Sequence, residues 1–523
     1  MNIRNKRLIS ALLLAPLVLS LLLLPIKPEK ASAAPTVTIT SPTEGQSISG
    51  TNFTAAGTAT PNTTVVLSSG GVGFAQTISD GSGNWSVATS LPAGNISLTA
   101  KAIQNPEYGY FATISTDFSI FNVNRLRISD NTVNPGGGWP IDSNGTNPFI
   151  MIPSPVNNTY YTGNFLVPSV LPAKFDASLA VAPTAVTGSY PADPQVNKGA
   201  FTQDGSLYFA PNMNAGNISV INTATNAWQQ DITVGSSGDA AITIWAAPSG
   251  LLYAPTLSGK ILVISPSTLS IVNEINVGCP VGSLVFSQDA NYPFFYGPCL
   301  DSAQVKKIRL SDLSVVETWN TGINTSSGAI TLDNKKLYLI GTYAGDGSSD
   351  SDKIKVLSTE NGSTLSTIQL SGGGLGFLPT SDFQKIYASI PGDPIGTQII
   401  DVIDPITDTI EASIPTDGFP GPLGTNPTQD AEATIQVSFV LGATTSTATQ
   451  KLAETGAIGI SSILLIGIII AITSYLYIDY RAHKKPLRAE DPNVKYTFLH
   501  HIRVVSMPRL KYRVAVSKRS TYK

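Results

Sequence analysis

Three aspartates lie within seven residues of one another, at Asp346, Asp350 and Asp352. Carboxylate oxygens are the ligands that Ca²⁺ prefers, so this group is a candidate calcium site. Its spacing departs from that of an EF-hand loop, and the alternative is a solvated turn between two strands. Calcium is the one cofactor that the sequence suggests.

The chain contains two cysteines, Cys279 and Cys299, which flank predicted strands at 284–287 and 294–296. A β-hairpin would bring the outer ends of these strands together. In an exported protein this favours a Cys279–Cys299 disulfide, which would contribute about 3 kcal/mol. The alternative is two unpaired, partly buried thiols.

All three histidines lie near the C-terminus, at His483, His500 and His501. The body of the chain therefore cannot assemble a Ser-His-Asp triad, a Cys-His dyad or a histidine-ligated zinc or copper site. Two carboxylates are enough for glycoside hydrolysis, so that chemistry stays open. On this distribution the sequence favours a protein that is not an enzyme.

The most informative motif stands before the last two segments of the chain and consists of Leu452, Ala453, Glu454, Thr455 and Gly456. An uncharged apolar run, 457–478, follows at once, and a basic tail, 479–523, completes the chain. As a helix, the apolar run would extend about 33 Å, which is enough to cross a bilayer.

This order resembles the cell-wall sorting signal of Gram-positive surface proteins, with Ala453 where proline is usual. The resemblance implies that a sortase-type transpeptidase cuts after Thr455 and joins the chain to the envelope. The alternative is a single-pass membrane protein, because the tail is longer than sorting tails usually are.

Residues 1–33 have the three parts of a signal peptide. A basic start is followed by the apolar run 8–26, and Ala31-Ser32-Ala33 supplies small residues for cleavage. An uncleaved anchor is the alternative, because the apolar run is long for a signal peptide.

Charge is divided unevenly along the chain. The tail has 12 Lys and Arg against 3 Asp and Glu, a net charge of +9, whereas residues 34–478 have 15 against 31, a net charge of −16. Positive charge stays on the cytoplasmic side of a membrane span, which predicts an extracellular body and a membrane partner. The acidic body excludes nucleic acid as the expected partner.

Residues 35–121 show short alternating strands separated by turn signals such as Asp80-Gly81-Ser82-Gly83. This pattern predicts a β-sandwich. The stretches 57–65 and 80–87 resemble the bacterial Ig-like modules of surface proteins, which implies a spacer or an adhesive unit.

Residues 122–440 contain a repeat whose period of 40–50 residues predicts the blades of a six- or seven-bladed β-propeller. The repeat resembles the YVTN-type, lactonase-like propeller repeats. Its tyrosines are 45, 43, 42 and 49 residues apart, at Tyr208, Tyr253, Tyr296, Tyr338 and Tyr387. Residues 441–456 form a polar stalk that ends in the sorting motif.

In the last repeat, Asp401, Asp404 and Asp408 are interpreted as turn formers. We expect an all-β, surface-anchored binding or adhesion protein that displays its propeller to a glycan or protein ligand. The alternative is an exported propeller enzyme, either a carboxylate-based glycan hydrolase or a lactonase-like enzyme. A pair of aspartates facing the central channel would favour the enzyme.

Overall fold

The computed structural model describes residues 34–164, 169–190, 195–235, 239–342, 350–391, 398–425 and 429–440, together with strands at 503–505 and 513–515. The regular elements of these residues are β-strands, so the protein is all-β as predicted. The chain divides into two compact units, 1–443 and 444–523.

The first unit opens with six strands, and a seventh joins them from much later in the chain. Their bounds are β1 (Ser47–Ser49), β2 (Asn52–Thr58), β3 (Thr64–Ser69), β4 (Val72–Ile78), β5 (Asn84–Ser90), β6 (Gly94–Gln104) and β37 (Gln429–Val440). One sheet pairs β2 with β5, and the other has the order β1-β37-β6-β3-β4. We call these seven strands the N-terminal sheet pair.

Alternation along these strands directs one set of side chains into a shared core. Trp85 and Ala55 of the smaller sheet are buried with Leu67 and Leu98 of the larger one. Phe439 of β37 belongs to the same core, so the two sheets pack through residues that are distant in sequence.

The strands β7 to β36 form seven sheets, which we call blades 1 to 7. Blade 1 consists of β7 (Tyr108–Ile114), β8 (Phe121–Arg127), β9 (Thr132–Val133), β10 (Ile141–Asp142), β35 (Phe419–Pro420) and β36 (Gly424–Thr425). Blade 2 consists of β11 (Ile150–Pro153), β12 (Thr159–Gly163), β13 (Ala173–Asp176) and β14 (Thr184–Ala185); blade 3 of β15 (Ala200–Phe201), β16 (Leu207–Asn212), β17 (Asn217–Asn222) and β18 (Ala227–Thr233); and blade 4 of β19 (Trp245–Ala246), β20 (Leu252–Pro255), β21 (Lys260–Ser265) and β22 (Ser270–Asn276). Blade 5 consists of β23 (Val285–Phe286), β24 (Phe294–Pro298), β25 (Gln304–Arg309) and β26 (Val315–Asn320); blade 6 of β27 (Thr325–Ile330), β28 (Lys336–Gly341), β29 (Lys353–Ser358) and β30 (Thr364–Gln369); and blade 7 of β31 (Gly376–Pro379), β32 (Ile386–Ile390), β33 (Ile399–Asp404) and β34 (Thr409–Pro415).

Blades 2 to 7 are antiparallel sheets whose four strands pair in chain order, which is the arrangement of a β-propeller. The repeated tyrosines occupy the second strand of each blade from 3 to 7, and each is almost fully buried. Tyr161 takes the corresponding place in blade 2. The tyrosine period read from the sequence is therefore the spacing between neighbouring blades.

Blade 1 closes the ring because it combines strands that come before the other six blades in the chain with strands that come after them. β35 and β36 pair with β7, which pairs with β8. Tyr161 of blade 2 donates a 2.8 Å hydrogen bond to Asn226 Oδ1 of blade 3. Tyr387 of blade 7 donates a 2.9 Å bond to Asn131 Oδ1 of blade 1. The same contact therefore joins consecutive blades and the two ends of the ring.

The structure moves both boundaries predicted for the first unit. The interval 35–121 includes β7, which belongs to blade 1, and the interval 122–440 includes β37, which pairs with β6 from Gln429↔Gln104 to Phe439↔Gly94. Only the strand pairing assigns β7 to blade 1 and β37 to the N-terminal sheet pair.

The N-terminal sheet pair contacts the blades through a polar cluster. Asp289 Oδ2 accepts hydrogen bonds from Gly73 N at 2.8 Å and from Asn334 Nδ2 at 2.7 Å. A Cβ at Gly73 would lie 2.2 Å from Leu332 O, so a side chain would prevent this approach. Within the first unit, specific hydrogen bonds thus join the N-terminal sheet pair to the blades.

In the second unit, β38 (Arg503–Val505) pairs antiparallel with β39 (Arg513–Ala515). The predicted signal peptide at 1–33, the predicted sorting motif at 452–456 and the apolar run at 457–478 lie outside the described residues. Within the described part of the chain, no helix has the length and apolar character that a membrane span requires.

Candidate functional site

The first strands of the blades surround a central cavity of about 700 Å³. Most of the lining is apolar. The lining residues with apolar side chains include Ile150, Ile152, Phe201, Ile242, Trp245, Leu375, Phe377, Leu378 and Leu423. A volume of this size lies within the range of small-molecule binding sites.

One charged side chain, Lys198, lines the described part of this cavity. Its Nζ lies 3.2 Å from the centroid of the Trp245 ring, which places the ammonium group on the negative face of the indole. No ion pair joins Lys198 to any described carboxylate. The cavity therefore presents a cation that no described carboxylate neutralises.

Burial lowers the pKa of the Lys198 ammonium group from 10.5 to about 7. The cause is desolvation, because an apolar lining replaces the water that would stabilise the charge. The Trp245 ring opposes this shift by attracting the protonated form. Lys198 is consequently half charged near neutral pH, and a bound anion would favour its charged form.

Backbone and side-chain contacts fix both members of this pair. A Cβ at Gly199 would lie 2.2 Å from Phe209 O, so glycine at this position allows the backbone next to Lys198 to pack closely against the neighbouring strand. Trp245 Nε1 donates a 2.9 Å hydrogen bond to Thr243 Oγ1, which in turn donates to Gly282 O at 3.0 Å. The indole is thereby linked to blade 5 and cannot rotate freely.

Three residues of the cavity lining, Ser283, Ser326 and Thr342, have buried hydroxyl groups without a hydrogen-bond partner among the described residues. Ser283 is 3% exposed, so its hydroxyl is held away from bulk solvent. Leaving a buried donor unsatisfied costs about 1–3 kcal/mol, which makes a ligand the natural partner for such groups.

These polar groups share one end of the cavity. Lys198, Ser283 and Ser326 lie at or just before the first strand of blades 3, 5 and 6, and Thr342 directly follows the returning second strand of blade 6. Antiparallel pairing places the end of a second strand beside the start of the first. One end of an apolar cavity thus has an ammonium group and hydroxyls that no described residue satisfies.

Of the three candidate calcium ligands, only Asp350 and Asp352 lie in the described residues, so the calcium site stays a prediction. Asp346 lies outside these residues. Asp352 accepts a 2.7 Å hydrogen bond from Gln369 Nε2 and pairs with Lys353 Nζ at 3.3 Å, so its carboxylate already has partners. The described residues contain no group of three or more His, Cys, Asp or Glu that could hold a metal ion.

The interpretation of three aspartates as turn formers is wrong for Asp401, which lies within β33 and is fully buried. It accepts hydrogen bonds from Ser371 N, Ser371 Oγ and Ser413 Oγ. Asp404 does cap a turn, accepting from Ile406 N at 2.8 Å. Asp408 lies in that turn and accepts hydrogen bonds from the Tyr338 hydroxyl of blade 6, so it joins two blades.

A disulfide joins Cys279 and Cys299, with 5.7 Å between their Cα atoms. It lies beside the hairpin of β23 and β24, and the neighbouring Val281 pairs with Cys299. Both cysteines are buried in the core of blades 4 and 5. The bridge therefore joins the segment that leads into blade 5 to the end of the second strand of that blade.

Reasoning from the sequence missed Lys198 and Trp245. One signal was available: the first strand of each repeat faces the axis of a propeller, so a lysine directly before such a strand stands at the channel. Residues 198–201 have that pattern, with Lys198 before the small and apolar residues Gly199, Ala200 and Phe201.

No protein-family model and no curated protein sequence matches this chain. Among solved structures, hydrazine synthase from Kuenenia stuttgartiensis is 17% identical over 55% of this chain and 95% of that chain, with a TM-score of 0.45. A putative 6-phosphogluconolactonase from Bacteroides fragilis is 16% identical over 61% and 98%, with a TM-score of 0.48.

The dihydro-heme d1 dehydrogenase NirN is 13% identical over 60% of this chain and 64% of that chain, with a TM-score of 0.42. At these identities and scores, none of the activities in these names transfers to this chain. The propeller assignment accordingly depends on the strand pairing described above.

Proposed function

We propose that this chain is a surface-anchored extracellular binding protein that takes a small, largely apolar molecule into the central cavity of its propeller. The cavity carries this proposal, because it joins an apolar lining to a few polar groups at one end, as ligand sites commonly do. The sequence alone suggests a glycan or protein ligand at the propeller surface. The lining favours a compact apolar molecule inside it.

The enzyme alternative depends on two carboxylates that face the channel. The described residues that line the cavity include neither aspartate nor glutamate. In this part of the cavity, the paired acids of glycoside hydrolysis are thus not assembled. This composition supports binding over carboxylate chemistry.

We expect 1-octanol to bind the full-length chain saturably and to bind an Ala246→Trp variant at least about tenfold more weakly. Ala246 lines the cavity and is exposed, so an indole there would fill space without disturbing packed neighbours. Isothermal titration calorimetry on protein in lipid nanodiscs, with empty nanodiscs subtracted, measures the difference.

The matched control is Ala224→Trp, because Ala224 is an exposed turn residue outside the cavity. It should bind 1-octanol as the wild type does. Equal binding by the wild type and Ala246→Trp, or no binding by either, would contradict a ligand site in the cavity.

Anchoring is tested by the intact mass of the protein from its native envelope. We expect a C-terminus at Thr455 that carries an envelope adduct, because the sorting motif, apolar run and basic tail occur in the order that a transpeptidase requires. A detergent-extractable chain that ends at Lys523 would contradict covalent anchoring and leave a single-pass membrane protein.

A further inference from the structure

The described lining at the polar end of the cavity has one ammonium group, an aromatic ring in contact with it, and hydroxyl groups that no described residue satisfies. Lys198 supplies the ammonium group, and Ser283 supplies a buried hydroxyl that has no partner among the described residues. A neutral hydrocarbon would leave both groups unsatisfied, because it offers no acceptor, and an alcohol would offer only a neutral one. A ligand with an acidic group at one end would satisfy both.

We propose that the cavity binds amphiphilic organic monoanions, whose carboxylate contacts Lys198 and Ser283 and whose apolar body lies along the strands toward Phe201 and Phe377. This inference rests on the proposed function and specifies its ligand. One ammonium group in an otherwise uncharged described lining matches one negative charge. The apolar walls match a hydrocarbon or aromatic body.

Charge complementarity excludes the opposite class of ligand. An organic cation would face the Lys198 ammonium group without a described carboxylate to receive it. A dianion would bring a second charge into an apolar lining, where an unpaired charge is strongly disfavoured. A monoanion with a single polar end is the class that fits both the charge and the lining.

The protonation state of Lys198 should control the affinity of the cavity for an organic monoanion. Its pKa is about 7 in the unliganded cavity, so the ammonium form decreases as the pH rises from 6 to 8.5. A carboxylate ligand stays ionised over this range, and its affinity should therefore fall with increasing pH. Binding of a neutral ligand should not change.

No other described group near Lys198 titrates in that range. The Tyr208 hydroxyl lies beside Gly199, and Tyr190 and Tyr161 are close to Tyr208. Burial raises the pKa of all three hydroxyls well above 10, so they remain neutral. A pH dependence centred near neutrality would thus report Lys198.

The test compares sodium octanoate, 1-octanol and octylammonium chloride on the full-length chain in neutral lipid nanodiscs by calorimetry. At about pH 6 we expect octanoate to bind roughly tenfold or more tightly than octanol, and octylammonium to bind most weakly. At about pH 8.5 the advantage of octanoate should shrink several-fold.

Two variants locate the acidic group. Lys198→Met should weaken octanoate roughly 10- to 100-fold, and Ser283→Ala about 3- to 10-fold, and each should weaken octanoate more than octanol, whose hydroxyl forms only a neutral hydrogen bond. Neither variant should unfold the protein, because each removes a polar group that burial disfavours. Lys260→Met is the matched control, since Lys260 pairs with Glu274 outside the cavity.

The outcomes separate the two proposals. If octanol binds but octanoate has no advantage, or if Lys198→Met leaves octanoate affinity unchanged, the anion inference is overturned and the apolar binding site remains. If none of the three probes binds, the proposed function fails with it. Octanoate binding that depends on Lys198 and falls with increasing pH supports both.

Discussion

Replacing Phe439 by alanine is expected to reduce the free energy of unfolding by about 3–5 kcal/mol, which is the usual range for deleting a buried phenylalanine. Phe439 is 2% exposed, and its ring centroid lies 4.9 Å from that of Phe53. The substitution removes a central member of the core between the two sheets. Urea unfolding of the full-length chain, followed by tryptophan fluorescence, measures the change in midpoint.

Val440→Ala is the matched control. Val440 is the next residue of β37 and is 49% exposed, so its truncation should change stability by less than about 0.5 kcal/mol. Trp85 lies in the same core as Phe439 and gives a local signal of its unfolding. Equal midpoints for the two variants would mean that β37 does not complete the N-terminal sheet pair.

The second large effect concerns the disulfide. The Cys279→Ala/Cys299→Ala double variant should lose about 3 kcal/mol, because the bridge closes a loop with a sequence separation of 20. Adding a reductant should lower the stability of the wild type toward that of the variant, as judged by the same urea midpoints. The double variant itself should not respond to the reductant.

This prediction has a clear opposite outcome. A wild type whose urea midpoint is the same with and without reductant would show that the bridge makes no contribution under these conditions. Because both cysteines are buried, the alanines also remove some packing, and the double variant should be slightly less stable than the reduced wild type.

The repeat was predictable because one residue type marks it. The second strand of each blade from 2 to 7 has a buried tyrosine, and its side chain occupies the space between neighbouring sheets. The strands that close the first unit have no such marker. Thr99 and Thr434, for example, share a hydrogen bond across 335 positions of sequence, and alternation does not reveal partners at that distance.

The candidate site was harder to predict for a related reason. The cavity forms only when the first strands of all the blades stand around one axis, so no local pattern describes it. Lys198 is one of the scattered lysines of the body until that axis is known. Asp401 was misinterpreted because its repeat position suggests a turn, whereas its burial shows a bonding role inside blade 7.

The pairing of β37 also determines how the first unit would carry mechanical force. The strand runs parallel to β1 and antiparallel to β6, and Val440 lies at its end. A pull along the strand from Val440 would load both ladders in shear, so that many hydrogen bonds resist together instead of opening one by one. The tension would reach the N-terminal sheet pair first.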